Sequence, residues 1–274
     1  MGESRAGGSI PIGRVIGTEM KYVAYEKRER VAIISLSRPE KLNALNREVL
    51  ADLRKALEEA ERDPEVRAVV ITGTGKSFCA GADITEFTRG SADIGRFIEL
   101  GREVFEFIEN MSKPVIAAVN GYALGGGFEL ALSCDFVVAS SNAAFGSTEI
   151  NLGITPGWGA TQKLAAIAGL AKAREIVMLG EVFSAEEALK LGIVHKVVQP
   201  ERLMDEAIAL ATKLCQKSPV ALSIAKLVIN RSVRAILAPG LELERSMFYV
   251  AVSSEEAREG VSAFLEKRKP KWQS

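Results

Sequence analysis

Residues 113–129 read Lys-Pro-Val-Ile-Ala-Ala-Val-Asn-Gly-Tyr-Ala-Leu-Gly-Gly-Gly-Phe-Glu, and the rest of the chain is organised around them. The apolar run Val115–Val119 holds three β-branched residues, which predicts a buried strand. Glycines 125–127 leave the backbone open to close approach, and 128–133 predicts a helix with Glu129 in its first turn. Such a helix start presents unpaired N–H groups to a developing anion, beside a carboxylate that can move a proton. The alternative is a tight turn whose glycines serve packing alone, and this stretch by itself does not separate the two readings.

Composition and charge exclude several classes of function. The 274 residues are 47% hydrophobic and 26% charged, which is usual for a globular protein. The formal net charge is zero, so the chain has no overall electrostatic preference for nucleic acid or an anionic membrane. Only a local basic patch would escape this argument. No apolar run approaches the roughly 20 residues that a membrane-spanning helix needs.

Cysteine and histidine are scarce, which limits the available chemistry. Cys79, Cys134 and Cys215 are odd in number and far apart, which predicts free thiols in a reducing compartment, here the cytoplasm, and no zinc site. The single histidine, His195, lies in Ile193-Val-His-Lys-Val-Val198, a short strand or strand edge, and we expect a structural or exposed role. A His-ligated metal site or a Ser-His-Asp triad is therefore disfavoured. Acid–base chemistry is left to Glu, Asp, Lys or Tyr.

The order of predicted elements divides the chain into three parts. Residues 1–20 are rich in Gly, Ser and isolated charges, and we expect a flexible extension or leader. Residues 21–200 are predicted to form the α/β core and residues 201–274 a C-terminal helical region. Alternating strands and helices over residues 31–140 predict βαβ crossovers and a largely parallel sheet. The pattern alone suits a doubly wound dinucleotide fold, but no G-x-G-x-x-G joins a strand to a helix.

Periodicity and capping residues predict the individual elements. Strands are expected at 22–26, 31–36, 66–72 and 136–139, in addition to the central strand. Helices are expected at 47–62, capped by Asn46, at 94–111 and at about 160–168. Two capping boxes are expected, Ser184 with Glu187 and Ser253 with Glu256.

Five stretches together resemble the crotonase, or enoyl-CoA hydratase/isomerase, superfamily. They are Arg38-Pro-Glu-Lys-Leu-Asn-Ala-Leu45, Phe78-Cys-Ala-Gly-Ala-Asp-Ile84, Asn120-Gly-Tyr-Ala-Leu-Gly-Gly-Gly-Phe-Glu-Leu130, Phe145-Gly-Ser-Thr-Glu-Ile-Asn-Leu-Gly-Ile-Thr-Pro-Gly157 and Glu259-Gly-Val-Ser-Ala-Phe-Leu-Glu-Lys-Arg-Lys-Pro270. The resemblance covers about residues 20–274. It implies a spiral of ββα turns in place of a flat doubly wound sheet. It also implies a C-terminal helical region that helps to build trimers, which often pair into hexamers.

Four positions carry the reaction that this resemblance implies. The backbone N–H groups of Ala82 and Gly126 match an oxyanion hole that receives the thioester carbonyl of an acyl-CoA. Two preorganised donors stabilise the negative charge that builds on this oxygen in an enolate-like transition state. Glu129 and Glu149 match the two catalytic carboxylates of the hydratases. Glu129 would orient and deprotonate the water and Glu149 would manage the Cα proton, although this division of roles stays open; the alternative is two surface glutamates.

The resemblance also implies a set of substrate contacts. Positions near the CoA adenine and pantetheine are Ala80, Asp83 and Ile84, and those at the CoA entrance are Lys41, Ala44 and Leu45. Those around the acyl group are Leu124, Pro156, Gly157 and Trp158, and Gly81 and Gly125 are further substrate-binding positions. Lys267 and Lys269 match either a contact to a CoA phosphate, in this subunit or a neighbour, or a solvated charge cluster. Trp158 is bulkier than the small residue often found at its position, so the acyl chain length stays open.

The sequence therefore predicts an enoyl-CoA hydratase, a lyase that adds water reversibly and syn to a trans-2-enoyl-CoA to give a 3-hydroxyacyl-CoA. The resemblance implies no metal or redox cofactor, because coenzyme A is part of the substrate. It implies a homotrimer or homohexamer without nucleic-acid or membrane partners. An enoyl-CoA isomerase, or another reaction of the superfamily, is the first alternative. An RNA-binding homologue is the second, and the zero net charge and the two glutamates disfavour it.

Overall fold

The computed structural model describes residues 20–272, and its centre is formed by two β-sheets. The strands are β1 (Val23–Arg28), β2 (Val31–Leu36), β3 (Ala68–Gly73), β4 (Ser77–Cys79), β5 (Val115–Val119), β6 (Tyr122–Leu124), β7 (Phe136–Ser140), β8 (Ala144–Gly146), β9 (Phe183–Ser184) and β10 (Lys196–Val198). The larger sheet has the order β1-β2-β3-β5-β7-β10 and the smaller one β4-β6-β8-β9. Only the β1–β2 and β8–β9 pairs are antiparallel.

Helices surround these sheets. They are α1 (Arg47–Arg62), α2 (Ser91–Asn110), α3 (Gly126–Leu132), α4 (Ala160–Leu179), α5 (Ala185–Lys190), α6 (Leu203–Cys215), α7 (Pro219–Val252) and α8 (Glu255–Leu265). The Asn46 side chain accepts a hydrogen bond from Val49 N, 2.9 Å, and so caps α1. The buried face of α1 includes Leu50, Leu53 and Leu57, which belong to the main hydrophobic core. Burial of this apolar face stabilises the helix more than its own propensity does.

Three consecutive ββα units follow one another along the chain, and together they form a spiral. β3, β5 and β7 belong to the larger sheet, and each is followed directly by a strand of the smaller sheet, β4, β6 and β8 in turn. A helix follows each of these strand pairs: α2, α3 and α4. β5 lies between β3 and β7, and all five of its residues are buried, as its apolar sequence predicts. The predicted fold class, a spiral of ββα turns with a C-terminal helical region, is confirmed.

The observed boundaries correct two details. The helix predicted at 160–168 continues as α4 to Leu179, across a non-helical residue at Gly169 (φ 80°). The capping box predicted at Ser253 is wrong, because α7 runs to Val252 and leaves Ser253 in helical geometry (φ −87°, ψ −7°). Ser254 has the extended backbone that a helix N-cap needs, and its side chain accepts from Ala257 N instead. The capping box that begins at Ser184 is confirmed.

The prediction for residues 1–20 falls, apart from Met20, outside the described residues. The division between residues 21–200 and 201–274 stays a prediction. Within residues 20–272, no helix is both long and apolar enough to cross a membrane.

Candidate active site

One cavity lies at the carboxyl ends of three strands of the smaller sheet. β4, β6 and β8 are parallel neighbours, so the residues that follow them meet at one edge of the sheet. The cavity has a volume of about 450 Å³, counted to its open mouth. Ten positions that the sequence singled out line it: Ala80, Gly81, Ala82, Ile84, Gly125, Gly126, Glu129, Glu149, Gly157 and Trp158.

Two backbone amides converge on this cavity. A Cβ built on Gly126 would lie 3.4 Å from Ala82 N, and one built on Gly81 would lie 3.5 Å from Gly126 N. The isolated bridge between Leu45 and Ala82 uses the Gly81 carbonyl and the Asp83 N–H, so it leaves the Ala82 N–H on the opposite side. Gly126 is the first residue of α3, where an N–H has no partner within its helix. Among the described residues, neither amide has a backbone hydrogen-bond partner, so a shared ligand oxygen stays a prediction.

The small residues around the amides are required by close packing. Gly81 has φ +105° and Gly125 has φ +50°, in the left-handed region that favours glycine. A Cβ on Gly81 would lie 2.9 Å from the Leu124 carbonyl oxygen. A Cβ on Gly126 would lie 2.3 Å from the Trp158 ring. Side chains at positions 81 and 126 would therefore displace the surroundings of the two amides.

Glu129 is buried in the first turn of α3. One of its carboxylate oxygens accepts hydrogen bonds from the backbone, and the other accepts none among the described residues. Its Oε1 accepts hydrogen bonds from Trp158 N at 2.8 Å and Ala160 N at 3.0 Å. Among residues 20–272, no hydrogen bond to its Oε2 is formed. The two amides fix the carboxylate plane, while Oε2 keeps its lone pairs for a ligand or a water molecule.

Glu149 repeats this arrangement on the other side of the cavity. It begins the short 3₁₀ turn Glu149–Leu152 that follows β8. Its Oε2 accepts a hydrogen bond from Ser147 Oγ, 2.8 Å. Its Oε1 is buried and has no partner among the described residues, and a Cβ on Gly125 would lie 3.4 Å from it. The alternative of two surface glutamates is wrong, because both side chains are buried.

Burial shifts the titration of both carboxyl groups in the same direction. Desolvation raises the pKa of Glu149 to about 7. Desolvation, followed by the negative charges of Glu149 and Glu244, raises the pKa of Glu129 well above its usual range, and the two backbone donors act against this rise. Since the groups interact, they titrate as a pair. At neutral pH such a pair can hold a proton and still accept one, as general acid–base chemistry requires.

The raised pKa of Glu149 gives a prediction for stability. Between its usual value of 4.5 and about 7, the folded state binds more protons at this residue than the unfolded state, so stability falls as the pH rises through this window. At about 1.4 kcal/mol per pKa unit, the ionised group costs about 3 kcal/mol above pH 7. We expect Glu149→Gln to raise the melting temperature at pH 8, measured by differential scanning calorimetry. The gain should vanish near pH 4.5, and an equal gain at both pH values would contradict this account.

Trp158 forms a rigid wall behind the two amides. Its indole Nε1 donates to the Ile98 carbonyl at 2.8 Å. Phe97 and Phe105 pack edge-on against its ring, with centroids 5.5 and 5.2 Å away. These contacts hold the ring in one orientation. Trp158 therefore serves twice, since its backbone N–H holds Glu129 and its side chain limits the cavity.

The other predicted positions do not line the cavity. Leu45 is fully buried beneath Ala82, and Asp83 pairs with Arg38 at 2.6 Å. Lys41, Ala44, Leu124, Pro156, Lys267 and Lys269 lie outside its wall, and the two C-terminal lysines are exposed. Their assignment to coenzyme A stays a prediction. His195 has the expected structural role, because its Nδ1 accepts from Val137 N at 3.0 Å in the larger sheet.

The structure adds residues that the sequence reading missed. Phe87, Ile98, Leu152, Ile154 and Phe248 supply apolar walls to the cavity, and Thr148 and Thr155 supply hydroxyl groups. Glu244, far along the chain on α7, is buried and contacts the 158–161 turn. Thr148, Leu152, Ile154 and Thr155 lie within the quoted stretch 145–157 but were not singled out there, whereas the other four positions lie outside every quoted motif. Only the amphipathic pattern of α7 could have indicated that one of its glutamates faces inward.

The fold and the cavity together define a class of protein: a ββα spiral in which two unbonded amides adjoin a pair of buried carboxyl groups. The chain belongs to the enoyl-CoA hydratase/isomerase family, whose family model matches residues 26–274.

Individual relatives agree with this family. A short-chain-enoyl-CoA hydratase of Clostridium acetobutylicum is 45% identical over 253 residues, covering 92% of this chain and 97% of the relative. A crotonyl-CoA hydratase of Syntrophomonas wolfei is 43% identical, with 90% and 96% covered. A methylmalonyl-CoA decarboxylase solved in complex with 2-nitronate-propionyl-CoA has a TM-score of 0.85 at 31% identity, covering 93% of this chain and 100% of that one. The fold alone therefore does not decide between reactions.

Proposed function

We propose that this protein is an enoyl-CoA hydratase that adds water reversibly to a trans-2-enoyl-CoA and forms a 3-hydroxyacyl-CoA. One observation carries the proposal: a single cavity holds two unbonded amides and two buried carboxyl groups, each with one oxygen held and one free. Relatives at 43% and 45% identity that are named crotonyl-CoA and short-chain-enoyl-CoA hydratases support it. The decarboxylase shares the fold at lower identity.

The charge that develops in hydration falls where the amides lie. Attack of water at Cβ moves the electrons of the double bond toward the thioester oxygen, which becomes enolate-like. Ala82 N and Gly126 N, converging on one point, would donate to that oxygen. Removal of one such donor typically costs about 3 kcal/mol of transition-state stabilisation. The acyl-CoA therefore binds with its carbonyl between the 80–84 loop and the start of α3.

The two carboxyl groups divide the proton transfers. Glu129 takes a proton from water through Oε2, while the two backbone amides hold its Oε1 in place. Glu149 delivers a proton to Cα through its unpartnered Oε1. The water oxygen becomes the 3-hydroxyl group, and exchange with solvent returns each carboxyl group to its starting state. The amides and carboxyl groups supply these steps without a metal or redox group.

Hydration of crotonyl-CoA tests the proposal. Water addition removes the conjugated enoyl chromophore, so we expect a rapid loss of its ultraviolet absorbance and formation of 3-hydroxybutanoyl-CoA. Migration of the double bond without hydration would instead identify an isomerase. Salt-dependent RNA binding without any hydration would favour the binding-protein alternative.

We also propose a preference for short acyl chains. The fixed Trp158 ring, with Phe248 and Leu152, restricts the cavity around the reacting carbons. A relative named as a short-chain hydratase supports this. In a series of trans-2-enoyl-CoA substrates, kcat/KM is expected to be highest at about four to six carbons, because a packed pocket resists extra methylenes. A maximum at long chains would contradict it.

We also propose that the protein forms a homotrimer or homohexamer and is located in the cytoplasm. Exposed apolar side chains on α7, among them Ile224, Val228, Ile229 and Ile236, support a homotrimer or homohexamer, because a contiguous apolar surface usually marks an interface. Light scattering on the purified chain measures this, and a monomer would contradict it. Free cysteines, including the buried Cys79, support the reducing cytoplasm.

A further inference from the structure

Glu244 is a buried carboxyl group that no step of the proposed reaction uses. It lies on α7 with 8% of its surface exposed, and its contacts reach the turn that begins α4. Its Oε1 accepts from Gly159 N at 2.7 Å, and its Oε2 accepts from Thr161 N at 3.0 Å and from the Thr161 hydroxyl. Three donors from Gly159 and Thr161 engage both oxygens of the carboxylate and tie it to this turn.

The same turn also binds Glu129, and successive N–H groups of the turn donate in alternation to the two carboxyl groups. The N–H groups of residues 158 and 160 donate to Glu129, whereas those of residues 159 and 161 donate to Glu244. Successive amides therefore point to opposite sides, one toward the cavity and one toward α7. Gly159 makes this possible with φ 109°, a conformation that other residues avoid. Any rotation of the turn that releases Glu244 also misaligns the donors to Glu129.

We propose that Glu244 is a positioning residue of the catalytic site: by fixing the 158–161 turn from the α7 side, its carboxylate orients Glu129. This inference rests on the proposed hydratase function and extends it to a residue about one hundred positions away in the sequence. Glu244 also places a negative charge near the catalytic pair, and this charge contributes to the raised pKa of Glu129. It therefore acts through both geometry and charge.

Other charged groups face Glu244 across the space behind Trp158. They come from three elements: Arg102, Glu106 and Glu109 of α2, Lys163 of α4, and Arg234, Glu242 and Arg245 of α7. Burial raises the pKa of Glu244 itself, while its hydrogen bonds and Lys163 oppose this. Most of the neighbouring charges pair with one another, such as Arg245 with Glu99 at 2.6 Å. The hydrogen bonds of Glu244 are therefore made with the turn and not with these charged side chains.

Two substitutions separate the geometric and electrostatic contributions. Glu244→Ala removes every contact with the turn, and we expect kcat to fall about tenfold to a hundredfold with little change in KM, since small misplacement of a catalytic group has this size of effect. Glu244→Gln keeps one acceptor oxygen for the turn, but its NH2 group faces a backbone N–H at the place of the other oxygen, so it should recover only part of kcat. Without the negative charge, however, the pKa of Glu129 falls, and the acid limb of the kcat profile should move down by about 0.5 pH unit or more.

The matched control is Glu242→Gln, which removes a carboxylate from an exposed position on the same helix. Its kcat and pH profile should equal those of the wild type. If both Glu244 variants behave like this control, the inference is wrong, even where the melting temperature falls. Should Glu244→Ala fail to fold, the pH profile of Glu244→Gln still decides. A wild type that hydrates no enoyl-CoA would overturn the proposed function as well, whereas an active wild type with unaffected variants overturns this inference alone.

Discussion

Replacement of either Glu129 or Glu149 by glutamine is expected to lower kcat for crotonyl-CoA hydration by about 10²–10⁴, the usual contribution of a positioned acid or base. Glutamine cannot take up or deliver the proton that each step requires. At position 129 the amide oxygen can still accept from Trp158 N and Ala160 N, and at position 149 it can still accept from Ser147. The cavity is therefore preserved and only the proton transfer is lost.

Binding measurements distinguish this loss from misfolding. Butanoyl-CoA is saturated and cannot take up water, so its dissociation constant, measured by calorimetry, should be the same in both variants and the wild type. Asp135→Asn is a suitable control, because Asp135 is also a mostly enclosed carboxylate, 16% exposed, but lies elsewhere and pairs with Lys226 at 2.7 Å. It should lose stability and keep its kcat. A near-normal rate in either glutamine variant would remove that residue from the mechanism.

The local elements were largely predictable from the sequence, because their causes are local. An unbroken apolar run identifies β5, and Asn46 caps α1 as its position before an amphipathic helix indicates. The spiral itself did not follow from periodicity. The period-2 and period-3.6 patterns reveal strands and helices, but they do not record that β3 and β4 enter different sheets. The motifs that resemble the family supplied this information.

The candidate site was predictable where a motif lies close to the chemistry. The glycines at 125–127 and the loop at 78–84 place their amides by backbone geometry alone, and these amides lie close together beside the cavity. Burial of Glu149 was less predictable, because an isolated glutamate has the same local sequence whether it is exposed or enclosed. The contacts of Glu244 could not be predicted, because the amphipathic pattern of α7 indicates at most that one of its glutamates faces inward. The partners of Glu244 lie more than 80 residues away, and the nearby Glu242 of α7 is an exposed residue of the same type.

Gly126→Ala is expected to reduce kcat/KM for crotonyl-CoA about a hundredfold or more, the cost of losing one oxyanion donor. The added Cβ would lie 2.3 Å from the Trp158 ring, which cannot swing aside while its indole is bonded to Ile98 and packed by Phe97. The helix start must move instead, and Gly126 N then no longer converges with Ala82 N. Steady-state kinetics measure the loss.

Gly95→Ala provides the control for this prediction. Gly95 lies inside α2, and a Cβ there would make an ordinary contact, 3.5 Å from the Tyr249 ring. Since alanine is a better helix former than glycine, this variant should be at least as stable as the wild type and equally active. Gly126→Ala should also bind butanoyl-CoA more weakly, because the hole already contacts the ground-state carbonyl. If Gly126→Ala kept both its rate and its affinity, the amide of residue 126 would not serve as an oxyanion donor, and the charge would have to be stabilised elsewhere.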